Sequence, residues 1–255
     1  MATDLLPAPR LLALGDCAWT VEFGAAIDPA LNARVMALAQ GVRAQRPQDP
    51  LLAGITDLVP TFRSLTVHFD PLHTDADALG DRLLDLCASR HVQQDPGHHW
   101  LLPVCFDADF APDLTALAEA KGLSAAAVID LLLAATFRVY MTGFLPGFPY
   151  MGGLPPALAT PRLASPRARV PAQSVAVAGE MCAVYPWDSP GGWHLLGRTP
   201  VQLFDLRLGE QPAMLAAGDT VRWQAVSRPE YEHLLRQGQR GEVARERFRL
   251  LEGCA

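Results

Sequence analysis

Between Gly143 and Pro200 the chain interleaves Phe144, Phe148, Tyr150, Tyr185, Trp187 and Trp193 with repeated Pro and Gly, and places Arg162, Arg167 and Arg198 among them. Pro lacks an amide donor and Gly is entropically costly in a regular element, so this stretch reads as shaped loops rather than a long helix. Aromatic rings need burial or a ligand to stack on, which sets it apart from a polar linker. Guanidinium forks beside such loops suit carboxylate or phosphate groups. The pattern points to a concave site for a small anionic or amide-bearing molecule. Arg162, Arg167 and Arg198 are the catalytic candidates, gripping the anion. Phe144, Pro146, Phe148, Tyr150, Tyr185 and Trp193 are expected to wall the pocket, and Ser189, Gly191 and Gly192 to bring backbone amides close to the ligand. The competing reading gives each residue a local role, as turn former, core aromatic or internal salt bridge.

The elements that position these residues come from a chain of 255 residues, half of them hydrophobic, enough for one large domain or two modest ones. A net charge of −6 and the lack of any Lys/Arg run speak against a nucleic-acid surface; Lys121 is the only lysine. Cys17, Cys87, Cys105, Cys182 and Cys254 are odd in number, widely spaced and without a Cys-x-x-Cys, which fits a reducing compartment and no structural zinc. His98 and His99 are adjacent, point different ways and lack a suitably spaced carboxylate, so no metal site is expected. No basic-then-apolar leader or bilayer-length apolar run occurs, and the expectation is a soluble, cytoplasmic protein without membrane contact.

After a loose tail of ten residues, strands are expected at 11–14 and 19–23, a helix over 31–45 capped by Asp28 with Pro29 at its start, strands at 54–60 and 64–69, and a helix opened by Asp75 or Asp77. This gives a small α+β domain over residues 10–92, a sheet with two helices on one face. Residues 91–100 read as a linker. The second domain, 98–240, begins with a strand at 101–106. Helices follow at 114–121, capped by Asp113, and after Ser124; then come strands at 137–141, 174–178, 182–185, 201–204 and 221–226, and a last helix from Glu230 to Gln237. Short strands between turn signals suggest a β-barrel.

The runs Gly143-Phe-Leu-Pro-Gly-Phe-Pro-Tyr-Met-Gly-Gly-Leu-Pro155, Pro161-Arg-Leu-Ala-Ser-Pro-Arg167, Val170-Pro171 and Ser189-Pro-Gly-Gly-Trp-His-Leu-Leu-Gly-Arg-Thr-Pro200 resemble the KipI/PxpB family. Its members include the PxpB component of 5-oxoprolinase and allophanate hydrolase subunit 1. Less specific matches at Leu14-Gly15-Asp16, Pro60-Thr-Phe-Arg-Ser-Leu65 and Pro103-Val-Cys-Phe-Asp107 extend the likeness to nearly the whole chain. The resemblance implies a cyclophilin-like barrel for the second domain. It also implies two partner proteins, one KipA/PxpC-like and one of the LamB/YcsF type. Together these would open 5-oxoproline to glutamate with ATP, and no cofactor is expected on the isolated chain. A carboxyltransferase component of urea carboxylase or allophanate hydrolase, and a KipI-like inhibitor of a histidine kinase, are the alternatives. Three places depart from the pattern. Gln173 stands where glycine is common, Leu132 where histidine is frequent, and Met181-Cys182-Ala183 where Gln-Thr-Gly is usual.

Overall fold

Asp28 accepts hydrogen bonds from the amides of Ala30 and Leu31, at 2.7 and 3.1 Å, and Pro29 follows it, so the first helix starts where the cap signals place it. In the computed structural model, residues 7–88 and 97–250 are described. Most of the expected linker, part of the N-terminal tail and Cys254 lie outside them. The chain divides into two units, residues 1–95 and 96–255.

The first unit runs β1 (Arg10–Ala13), β2 (Ala18–Glu22), α1 (Pro29–Gln45), β3 (Ile55–Pro60), β4 (Ser64–Phe69) and α2 (Ala76–Ala88). Its sheet has the order β1-β2-β4-β3, antiparallel throughout. Period-2 alternation sends Val21, Leu65, Val67 and Phe69 to one face, where Leu31, Val35 and Leu38 of α1 and Leu79 and Leu83 of α2 cover them. Asp75, rather than Asp77, opens α2 by accepting the Ala78 amide at 3.0 Å. Arg63 stays within this unit, donating to the Gly24 carbonyl at 3.1 Å.

The second unit contains β5 (His99–Val104), α3 (Leu114–Lys121), α4 (Ala125–Ala134), β6 (Phe137–Thr142), β7 (Pro149–Gly152), β8 (Arg167–Val170), β9 (Ser174–Ala178), β10 (Met181–Tyr185), β11 (Ser189–Gly191), β12 (His194–Arg198), β13 (Thr220–Ala225), α5 (Arg228–Gln239) and β14 (Arg249–Leu250). Eight strands form one sheet in the order β12-β9-β10-β7-β6-β13-β5-β14, and β8 and β11 form a separate ribbon. One antiparallel bridge joins Cys105, just after β5, to Arg198 of β12 through a reciprocal pair of hydrogen bonds of 2.9 and 3.0 Å. The fold is thus mixed, with five α-helices and two sheets plus a ribbon among the described residues.

Three expectations change. The Pro/Gly-rich stretch holds four short strands, β7, β8, β11 and β12, where loops were expected; Pro149 begins one and Pro190 sits in the ribbon, positions where a missing N–H is tolerated. Residues 201–204 form no strand, only an isolated bridge from Phe204 to Ala213. Asp113 stands at the start of α3 but makes no side-chain capping bond.

The sheet buries two different sets of side chains. Cys182 and Val184 of β10 join Val175, Val177 and Leu196 in the larger core, which also takes Leu117 of α3 and Val128 and Leu132 of α4. Leu132, at the position where the resemblance suggests histidine, is 1% exposed within that core. Ala183 and Tyr185, one step out of phase, face the other way with Ala176 and Ala178. Burial pushes the Cys182 thiol up to about 12, so it stays protonated as a core residue.

Asp219, 2% exposed, anchors the start of β5 and β13. Its carboxylate accepts from the His98 amide at 2.8 Å, the Trp100 indole at 2.9 Å and the Ala216 amide at 3.0 Å. Asp219→Ala leaves these donors without an acceptor and is expected to cost about 2–4 kcal/mol, at roughly 1–3 per buried unsatisfied group without full additivity. Urea unfolding of the two proteins measures it.

Candidate functional site: an aromatic cluster with one unpaired guanidinium

Phe148 lies at the centre of the second buried set. Its ring packs on Phe144 at 5.5 Å, Tyr150 at 4.9 Å, Tyr185 at 5.1 Å and Trp193 at 6.1 Å between centroids, and Tyr150 in turn meets Trp193 at 6.0 Å. These are edge-on or tilted contacts, the favourable geometry for aromatic quadrupoles. Five of the rings singled out in the sequence thus come together. Two glycines in this region leave room for neighbouring rings. A Cβ on Gly191 would sit 2.3 Å from the Tyr185 hydroxyl, so this glycine admits Tyr185. Gly147, at a φ of 78°, lies where a Cβ would meet Phe204 at 2.7 Å.

The three arginines fare differently. Arg162 is exposed and holds its guanidinium 5.9 Å from the Trp193 ring, with no carboxylate in ion-pair reach among the described residues. Its loop is pinned on both sides: the Leu163 amide donates to the Gly192 carbonyl at 2.7 Å, and the His194 ring lies 3.0 Å from the Pro161 carbonyl. Arg167 also reaches the cluster, 3.4 Å from the Trp193 carbonyl, but its charge is already paired with Asp113 at 2.5 Å. Arg198 is elsewhere. It donates to the Ala172 carbonyl at 2.8 Å and packs over Phe110 at 5.6 Å.

Among the remaining candidates, Pro146 offers its carbonyl to the Trp187 indole at 3.2 Å, and Trp187 meets Phe204 edge-on at 6.0 Å between centroids. Ser189, 8% exposed, has a buried hydroxyl with no hydrogen-bond partner among the described residues. The carbonyl of Gly192 is committed to Leu163. Phe144 is 62% exposed and has a φ of 66°, a region that costs a residue with a Cβ about 1–2 kcal/mol.

Sequence reasoning missed Asp113 as a partner of the site, since its pairing with Arg167 spans 54 positions and leaves no local signal. It also could not place Met181, which packs against the aromatic cluster where the resemblance suggests glutamine and makes that wall more apolar. Ala183 lies opposite Tyr150 in the β10–β7 pairing.

The profile of the family described as "Carboxyltransferase domain, subdomain C and D" matches residues 9–215. The chain belongs to this family. It is 35% identical over 232 residues to the B component of 5-oxoprolinase from Bacillus subtilis, covering 86% of this chain and 93% of that protein. The crystal structure of TTHA0988 aligns with a TM-score of 0.71 at 36% identity over 82% of this chain, which spans only 40% of that longer protein. Urea carboxylase of Kluyveromyces lactis shares the fold, with a TM-score of 0.74 at 22% identity over 92% of this chain and 23% of its own length. No helix among the described residues is long and apolar enough to cross a membrane.

Burial raises the pKa of Tyr150, with Arg162 pulling it back, and burial likewise raises Tyr185, offset by a hydrogen bond from the Trp193 amide and by the two nearby arginines. Both phenols thus stay protonated beyond the usual tyrosine value of about 10. Because the folded value lies above the unfolded one, their contribution to stability is complete below the unfolded pKa and is lost as pH rises through the folded one. Arg162→Gln removes a positive charge that favours the phenolate. The Tyr150 titration is expected to move further upward, seen as a delayed rise in tyrosinate absorbance; a downward or absent shift would separate Arg162 from Tyr150.

Proposed function

We propose that this chain is the PxpB-type component of a cytoplasmic, heteromeric, ATP-dependent 5-oxoprolinase, which opens 5-oxoproline to glutamate together with a KipA/PxpC-like protein and a LamB/YcsF-type protein. The observation that carries the reading is the likeness, over 86% of the chain, to a protein named as the B component of 5-oxoprolinase. The aromatic cluster supports it chemically. Arg162, unpaired and stacked near Trp193, is suited to a carboxylate or to oxygens that gain charge during the reaction. Tyr150, whose phenol burial keeps protonated, adds a polar group to the wall of the same cluster. A lactam carbonyl is a weak electrophile until its oxygen is activated, and phosphoryl transfer to that oxygen provides the activation.

A metal-bound nucleoside triphosphate asks for several cations and a group of acidic ligands. The cluster offers one unpaired guanidinium, and no His/Cys/Asp/Glu group suited to a metal occurs among the described residues. These residues fit a single anionic group and not the triphosphate, which supports placing ATP with the partner proteins. For the second unit, the Cys105–Arg198 bridge favours a cyclophilin-like closed barrel, since it links the β5 side of the sheet to the β12 edge. The second reading is a carboxyltransferase component of the urea carboxylase type, favoured by the shared fold.

The test is reconstitution of the three proteins. ATP hydrolysis is expected to rise with 5-oxoproline and to yield glutamate, and no response overturns the reading. Arg162→Gln in this chain is expected to lower kcat/KM by about tenfold or more, as for removal of a group that stabilises developing charge, while Arg198→Gln has the smaller effect.

A further inference from the structure

A groove of about 820 Å³ opens on the second unit, and none of the aromatic-site residues lines it. Its size falls in the range of small-molecule pockets, about 300–1,000 Å³. Leu234 of α5 and Phe248 give it an apolar side, and Gln173, Gln211 and Arg245 supply polar groups.

Gln173 is the unusual member. Its φ of 61° lies in the left-handed region, where glycine is at ease and a residue with a Cβ is not. The backbone is held there from both sides: the Gln173 amide donates to the Tyr185 carbonyl at 2.5 Å, and its carbonyl accepts from the Thr199 amide at 3.0 Å. The half-buried side-chain amide has no hydrogen-bond partner among the described residues. Strain kept at a residue that faces a cavity with an unused donor and acceptor is a pointer to binding.

Arg245 supplies charge on the same groove. Its terminal nitrogens donate to the carbonyls of Gln211 at 3.0 Å and Pro212 at 2.7 Å, which fixes the guanidinium without neutralising it. The nearby Asp205 carboxylate is gripped at both oxygens by Arg207. Burial lowers the Arg245 pKa, and the carboxylates of Asp205 and Glu246, which line the same groove, pull it back up.

We infer that this groove binds a small molecule carrying both an amide and a carboxylate, of the N-acylated amino-acid class, with Gln173 meeting the amide and Arg245 the carboxylate. The site is separate from the aromatic cluster and does not depend on the oxoprolinase reading.

Three probes test it on the full chain by NMR titration and thermal shift: N-acetylglycine, acetate, and N-acetylglycine methylamide, which lacks the carboxylate. N-acetylglycine is expected to bind saturably, shifting the signals of groove residues, and more tightly than either fragment. Gln173→Gly relieves the strained backbone and removes the amide together. It is expected to raise the melting temperature while weakening N-acetylglycine about tenfold, equivalent to about 1.4 kcal/mol of binding. Arg245→Lys keeps the charge but not the fork and is expected to weaken binding without touching the amide-only probe. No perturbation at groove residues, equal binding of acetate, or unchanged binding by Gln173→Gly overturns the inference.

Discussion

The Asp113 carboxylate takes the Arg167 guanidinium on one oxygen and the Leu195 amide on the other, at 2.5 and 2.7 Å. One side chain at the start of α3 thereby ties down β8 and β12, and its position near a helix N-terminus suits its negative charge. Both partners are mostly buried, with side chains 13% and 29% exposed, so neither can be removed without leaving a poorly solvated charge behind. This pairing decides the chemistry available a few residues away. Arg167 and Arg162 both approach Trp193, but Arg167 is already neutralised, and the positive charge left to attract a ligand at the aromatic cluster is that of Arg162.

A sheet with two buried faces then separates packing from recognition. Along β10, Cys182 and Val184 face the helix-covered core while Met181, Ala183 and Tyr185 face the aromatic cluster. A one-residue slip of register would exchange these sets, putting a phenol into the aliphatic core and removing the wall of the cluster. The five-residue β9–β10 pairing, from Met181 opposite Ala178 to Tyr185 opposite Ser174, fixes that register. Small residues matter as much as large ones here, since Ala176 and Ala183 leave the depth that Phe148 and Tyr185 fill.

What could be read from the sequence follows from how local the signal is. In the first unit, caps and apolar periodicity act within one element, and Asp28, Leu31, Val35 and Leu38 specify α1 without reference to anything distant. In the second, β7, β8, β11 and β12 are three to five residues long and mostly carry Pro or Gly, so residue preferences argue against strands that only their partners stabilise. The aromatic residues were legible as a group because large rings have few stable homes. The arginines were not separable, since residue type is identical and only folded partners distinguish them. Arg167 meets Asp113, and Arg198 meets Phe110 and the Ala172 carbonyl. Arg162 lies over the face of Trp193 and meets no carboxylate among the described residues.

Backbone strain sharpens the distinction between scaffold and recognition surface. Among the described residues, Phe144 and Gln173 are the non-glycine positions with positive φ. Each is surrounded by contacts that enforce the conformation. Phe144 begins a turn in which the Leu145 amide bonds the Gly143 carbonyl and the Phe148 amide the Leu145 carbonyl, and Gln173 is held between Tyr185 and Thr199. Glycine would satisfy the same backbone geometry with less strain, so folding alone gives no reason for a large side chain at either place. One of these side chains projects from the aromatic cluster, with its ring 62% exposed, and the other lines the groove. Among the described residues the two non-glycine positions with left-handed backbone thus lie at the aromatic cluster and at the groove, where their side chains reach past the packed core.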